Sequence, residues 1–244
     1  MKIKDITNCI EELAPLQYAE SFDNVGLLVG NYNTEVSGVL VTLDTLEETV
    51  DEAIANKCNL IVSFHPIIFN GLKKLNGNSY VERVVLKAIK NDIAIYATHT
   101  ALDNVQNGVS GKICEVLGIQ NPQTLLPKSN LATQETIGMG MIGELSEEMT
   151  EADFIHFVKN TMKTDCIRHS EILEKPIKTV AVLGGSGSFA IDNAKAQNAD
   201  AYISADFKYH DFFKAEKQIL LVDVGHYESE QFTKNLLVEY LTKK

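Results

Sequence analysis

VSGVLVTLDTLEETVDEAIANKCNLIVSFH, Val36 to His65, decides the fold class. Val36 to Leu43 is apolar and β-rich, with Asp44 after it, and reads as a buried strand. Leu46 to Lys57 is rich in Glu, Ala and Ile and predicts a helix, and Asn59 to Phe64 (NLIVSF) predicts the next strand. Strand, helix and strand at this spacing form a βαβ unit, so the two strands are expected to lie parallel.

The pattern continues downstream. Tyr80 to Asn91 carries Val81, Val84, Val85, Ala88 and Ile89 at a helical period, and Ile93 to Ala97 is a short β-rich run. Val109 to Leu117 predicts a helix stopped by Gly118. Asn121 to Thr136, with Pro122 and Pro127 among polar residues, is weakly patterned and marks the expected boundary between lobes 1–127 and 128–244. Beyond it Ile137 to Leu145, Thr179 to Leu183, Ala201 to Ser204 and Ile219 to Val224 predict strands, Glu148 to Lys163 a helix, and Glu230 to Lys243 a closing amphipathic helix. The fold class is α/β, with a largely parallel sheet and two lobes of comparable size.

Composition narrows the function classes. With 45% hydrophobic and 23% charged residues in 244, the chain has material for a proper core. A net charge of -11 disfavours nucleic acid, whose non-specific binding rests on Lys and Arg. No stretch approaches the roughly 18 consecutive apolar residues of a membrane span, and no long apolar segment follows Met1, so the expectation is a cytoplasmic protein. Cys9, Cys58, Cys114 and Cys166 are scattered, which suggests buried thiols in place of a zinc ribbon or a disulfide framework.

The chemistry-bearing residues share one address. His65 follows NLIVSF, His99 and Asp103 follow IAIYAT, and His226 follows ILLVDVG, each just past a predicted strand, where open α/β sheets bind ligands. His226 and Glu230 are four residues apart, so on a helix they project from one face and can share a metal. The same spacing also suits a capped turn followed by a solvated helix face. His65 alone fits a hydrogen-bonded histidine at a strand end, and Asp103 fits an N-cap for the helix that follows. Together, imidazoles and carboxylates at one sheet edge suit zinc, iron or manganese. The glycine-rich segment Gly184-Gly-Ser-Gly-Ser188 reads either as a phosphate-approaching strand-to-helix turn or as a tight turn without a ligand. Lys208, Tyr209 and His210 could donate to an anionic substrate, or form an exposed helix start capped by Asp206.

At these residues the chain resembles the NIF-three-like family, whose bacterial members carry the name GTP cyclohydrolase I type 2 homologue. The matching segments are SFDNVGLLVG from Ser21, SFHPIIF from Ser63, THTALD from Thr98, GGSG from Gly184, ADFKYH from Ala205 and GHYESE from Gly225. They run in family order along essentially the whole chain.

The resemblance implies two interlocked α/β lobes with a cleft for up to two divalent metals between them, and often a toroidal homohexamer. It carries metal ligation onto His65, Asp103, His226 and Glu230, with Glu230 bridging both ions. His99 lies outside that set and is the expected proton shuttle, while Gly185, Ser186, Lys208 and His210 are the expected contacts to a small anionic or nucleotide substrate. Phe64 departs from the family pattern, which usually has a second histidine there, and an aromatic ring supplies no lone pair. The ion it would serve keeps Asp103, a share of Glu230 and water. A second departure is that Lys128 to Thr136 leaves no room for the extra domain that longer family members insert. The implied activity is a dinuclear metal-dependent hydrolase similar to GTP cyclohydrolase type 2. Its rivals are a non-catalytic metal carrier or regulatory interaction module, and a metal-free structural oligomer.

Overall fold

A computed structural model of the chain describes residues 1–129 and 136–244. The described residues form two compact units, one of residues 1–102 with 233–244 and one of residues 103–232. The division therefore falls upstream of the boundary expected at residue 127. Most of Lys128 to Thr136, the stretch expected to lack an inserted domain, lies outside the described residues.

The first unit opens with helix α1 (Ile3–Leu13), then strands β1 (Gly26–Val29) and β2 (Val39–Thr42), helix α2 (Glu47–Ala55) and strand β3 (Leu60–Ser63). Helix α3 (Tyr80–Lys90), strand β4 (Ala94–Ala97) and helix α4 (His99–Asp103) follow, α4 ending at the division. Its sheet has the order β1-β4-β3-β2, in which β2, β3 and β4 are parallel and β1 is antiparallel to β4. Every residue of β3 and β4 is buried, which is why both read as unbroken apolar runs. Val50 and Ala53 of α2 and Val84, Val85 and Ala88 of α3 pack with Ile61 and Ile95 in one core. Ser79 caps α3 by accepting a hydrogen bond from the Glu82 amide at 3.2 Å.

The second unit holds α5 (Val109–Leu117), β5 (Gln120–Ser129), β6 (Thr136–Thr150), α6 (Glu151–Thr161), β7 (Arg168–His169) and β8 (Pro176–Ser186). It continues with α7 (Ile191–Ala196), β9 (Ala201–Ala205), a 3-10 stretch Tyr209–Ala215, β10 (Leu220–Asp223) and α8 (His226–Glu230). Helix α9 (Thr233–Thr242) belongs to the first unit, where it packs on α1 and β2. The second sheet has the order β5-β6-β8-β9-β10-β7, with β8, β9 and β10 parallel and the outer pairs antiparallel. The expectation of parallel pairing holds for β2-β3-β4 in the first sheet and for β8-β9-β10 in the second.

Three readings change. The weakly patterned stretch after Asn121 contains β5, and its two prolines are tolerated because β5 is an edge strand with one neighbour. The strand expected at Thr179 to Leu183 runs on to Ser186, so Gly184 and Gly185 belong to β8 and not to a turn. The closing helix is two helices, α8 and α9, and begins at His226. Among the described residues no helix is long and apolar enough to cross a membrane.

Candidate metal centre

In the second unit the site is built by the end of β10. Asp223, 4% exposed, accepts hydrogen bonds from the Phe207 and Gly225 amides at 3.0 and 3.1 Å and pairs with Arg168. This holds the turn in which Gly225, at a φ of 93°, redirects the chain into α8. His226 and Glu230 then lie one helical turn apart, with His226 Nε2 3.2 Å from Glu230 Oε2. The Glu230 side chain is 5% exposed and that of His226 is 41% exposed. Asp206, just past β9, meets the other ring nitrogen at 2.7 Å through its Oδ2.

Gly185 explains how a carboxylate is buried here. A Cβ on it would lie 2.4 Å from Glu230 Oε1, and its φ of 71° disfavours any side chain. Its amide donates to Ser229 Oγ at 2.8 Å, and Ser204 Oγ donates to its carbonyl at 3.0 Å, so the strand end is fixed over Glu230. Gly185→Ala is expected to displace Glu230 and to cost about 1–3 kcal/mol, read as a lower urea midpoint at unchanged slope.

Electrostatically this is a place for a cation. The hydrogen bond to Glu230 is the main influence on His226, opposed by burial and reinforced by Asp206, and the imidazole is pushed up to about 9. A cavity of about 320 Å³ shares Asp206 and Gly225 with this cluster, and Arg168, Asp223, Glu228 and Cys166 also line it.

In the first unit His65 follows β3, and its Nδ1 lies 2.9 Å from Asp44 Oδ1. His99 follows β4 at a φ of 30°, and its Nδ1 lies 2.8 Å from Asp23 Oδ1. The Asp23 side chain is fully buried and also accepts from the amide and hydroxyl of Thr100. Burial pushes this carboxyl up, but the hydrogen bonds from His99 and Thr100 outweigh it and hold the group at about 2. The rings of His65 and His99 are 5.3 Å apart, and the buried Phe64 ring packs against both, at 4.9 and 5.6 Å. Phe64 therefore fills the space beside the imidazoles with an apolar wall.

The other expected residues are placed as follows. Asp103 is half-buried at the end of α4, while the N-cap position of α5 is Gly108, so Asp103 is not its cap. Ser186 is exposed at the end of β8. Lys208 and His210 are exposed at the 3-10 stretch, where the His210 ring packs on Tyr209 and Phe213. The cap position there is Lys208, whose amide donates to Asp211 at 2.9 Å, so Asp206 is not the cap. Asp23, Asp44 and Ser229 were not singled out by their residue types. The available signal was weak: Asp44 directly follows a strand, and Asp23 and Ser229 lie within recognisable segments.

The model for the Duf34/NIF3 (NGG1p interacting factor 3) family matches residues 1–244. A Clostridium acetobutylicum protein named GTP cyclohydrolase 1 type 2 homolog is 34% identical over 233 residues, covering 94% of this chain and 85% of its own length. A Lactococcus lactis protein of the same name is 35% identical over 239 residues, covering 95% and 88%. Among solved structures, a Bacillus cereus protein related to NIF3 superposes with a TM-score of 0.93 at 27% identity, covering 100% of this chain and 92% of that one. A Staphylococcus aureus protein does so with a TM-score of 0.90 at 30% identity, covering 100% and 93%. Matched along its whole length, the chain belongs to the Duf34/NIF3 family.

Proposed function

We propose that this protein binds divalent metal through His65, Asp103, His226 and Glu230 and uses it to hydrolyse a nucleotide or another phosphate-bearing substrate. The observation that carries the reading is the buried Glu230 carboxylate held 3.2 Å from His226 Nε2 at the end of a parallel strand. Imidazole nitrogen and carboxylate oxygen together fit zinc, iron or manganese.

When bound, divalent metal supplies Lewis acidity toward water and substrate oxygens. Two such ions against Asp103 and Glu230 leave a formal charge of about +2, which favours an anionic substrate. His99 is the proton carrier: its Nδ1 is tied to the buried Asp23, so Nε2 is the atom that takes and returns a proton. Lys208 and His210, both exposed donors, and the strand end Gly185-Ser186 are assigned to the substrate's phosphate. The GTP cyclohydrolase name borne by the relatives suggests water attack at the purine C8 of GTP as the reaction to try first. The working form is taken to be a cytoplasmic homohexamer.

Phe64 favours a second reading, a metal carrier without turnover. It puts a buried hydrocarbon wall where a further donor would serve an ion. The test is elemental analysis of protein purified without chelators or added metal, followed by assays of nucleoside triphosphates and phosphoesters. About one to two equivalents with turnover supports the hydrolase. Exchangeable metal without turnover supports the carrier, and less than about 0.2 equivalents removes both.

A further inference from the structure

Each unit carries the same arrangement beside one proposed ligand. In the first, β2 and β3 are parallel with Thr42 opposite Ser63, and Asp44 and His65 each lie two residues further on. In the second, β9 and β10 are parallel with Ser204 opposite Asp223, and Asp206 and His226 lie two and three residues further on. Neighbouring strands run about 4.8 Å apart, so an aspartate past one strand end and a histidine past the next meet side by side. Both pairs close through the same ring nitrogen, His65 Nδ1 to Asp44 at 2.9 Å and His226 Nδ1 to Asp206 at 2.7 Å.

We propose that Asp44 and Asp206 are matched positioning residues, each fixing one metal-binding imidazole in the orientation and tautomer that present Nε2 to a divalent cation. This rests on the metal-binding reading above and deepens it. An ionised carboxylate only accepts hydrogen bonds, so the nitrogen facing it must carry the hydrogen. In the neutral ring the lone pair then belongs to Nε2, the atom that faces Glu230 in the second unit. The acceptor also makes the ring a better donor and removes its freedom to flip.

Two observations separate this from an incidental surface ion pair. Asp206 adopts a φ of 59°, a left-handed conformation that aspartate takes more readily than most residues, and from it the carboxylate reaches His226. The device also occurs in both units, built from different segments of chain. Asp23 and His99 form a third Nδ1 pair in the first unit, but there the carboxylate is fully buried, whereas Asp44 and Asp206 are 56% and 49% exposed. With that exposure Asp44→Ala and Asp206→Ala are expected to fold as the wild type does, which a thermal melt of the metal-free variants checks.

The experiment measures zinc affinity by competition with a chromogenic chelator for wild type, Asp44→Ala, Asp206→Ala, Asp206→Asn and His226→Ala. Nitrogen chemical shifts of isotope-labelled histidine report which ring atom binds zinc. Each Ala variant is expected to lose about 10- to 100-fold in affinity at full stoichiometry, with zinc then found on both ring nitrogens. Asp206→Asn, which keeps an acceptor oxygen, is expected to lose less. In wild type, zinc is expected on Nε2 of both His65 and His226. Wild-type affinity and Nε2 ligation in both Ala variants, with binding lost in His226→Ala, would overturn the positioning role and leave the metal site standing. No zinc bound by wild type would overturn the metal reading and the positioning role together.

Discussion

Glu230→Ala is expected to yield a folded protein that retains less than about a tenth of the wild-type metal, an affinity loss of at least about 100-fold. Two effects with different ranges produce this separation. On the proposed reading Glu230 supplies a charged oxygen to the metal, and no neighbour can replace it, because its place under Gly185 is enclosed by the end of β8. Its loss costs the fold much less. Removing one partner of a buried ion pair is costly when the other is left buried and uncompensated, which is not the case here. His226 is left with Asp206 and with water at its 41% exposed side chain. Elemental analysis beside circular dichroism checks both halves. A full complement of metal in Glu230→Ala would move the site elsewhere.

The largest stability effect is expected at Asp23. Asp23→Ala removes the acceptor shared by His99 Nδ1 and by the amide and hydroxyl of Thr100, and leaves these groups in a largely buried place. The cost is on the order of 3 kcal/mol. Its pH signature follows from the held-down carboxyl. The folded value of about 2 lies below the ordinary 3.8, so the unfolded chain takes up the proton first as pH falls. The contribution is fully present above pH about 4 and is lost as pH falls through about 2, amounting to at most about 2 kcal/mol. Urea titrations between pH 2 and pH 5 should show the wild type losing this increment and Asp23→Ala losing correspondingly less. Identical slopes of stability against pH would show that the Asp23 carboxyl is not held below its ordinary value in the folded protein. On the proposed reading turnover is expected to fall as well, since His99 would lose the partner that sets its tautomer.

How legible the protein was in its residues depended on the range of each interaction. Helices α2, α3 and α5 were readable because periodicity, the Ser79 cap and the left-handed Gly118 are local properties. Strands β3 and β4 were readable because burial on both faces leaves an unbroken apolar run. Strand β5 was not, since its hydrogen bonds to β6 outweigh two prolines that argue locally for a loop. The extension of β8 through Gly184 and Gly185 was also hidden, because those glycines answer to Glu230, a residue far away in the chain. The break between α8 and α9 had no marker such as Gly or Pro at Gln231 and Phe232.

The same division runs through the site. Spacing alone placed His226 and Glu230 on one helical face, and strand ends alone placed His65 and His99 past the ends of their strands. The partners that decide their chemistry are set by strand register, which no local pattern records. Asp44 meets His65 across 21 positions, Asp206 meets His226 across 20, and Asp23 meets His99 across 76. Residue types and periodicity thus determined which groups could bind a cation, because a helix or strand end displays its own side chains. Only the tertiary structure decided how each imidazole is oriented, because hydrogen bonding of parallel strands and burial bring in carboxylates that are distant along the chain.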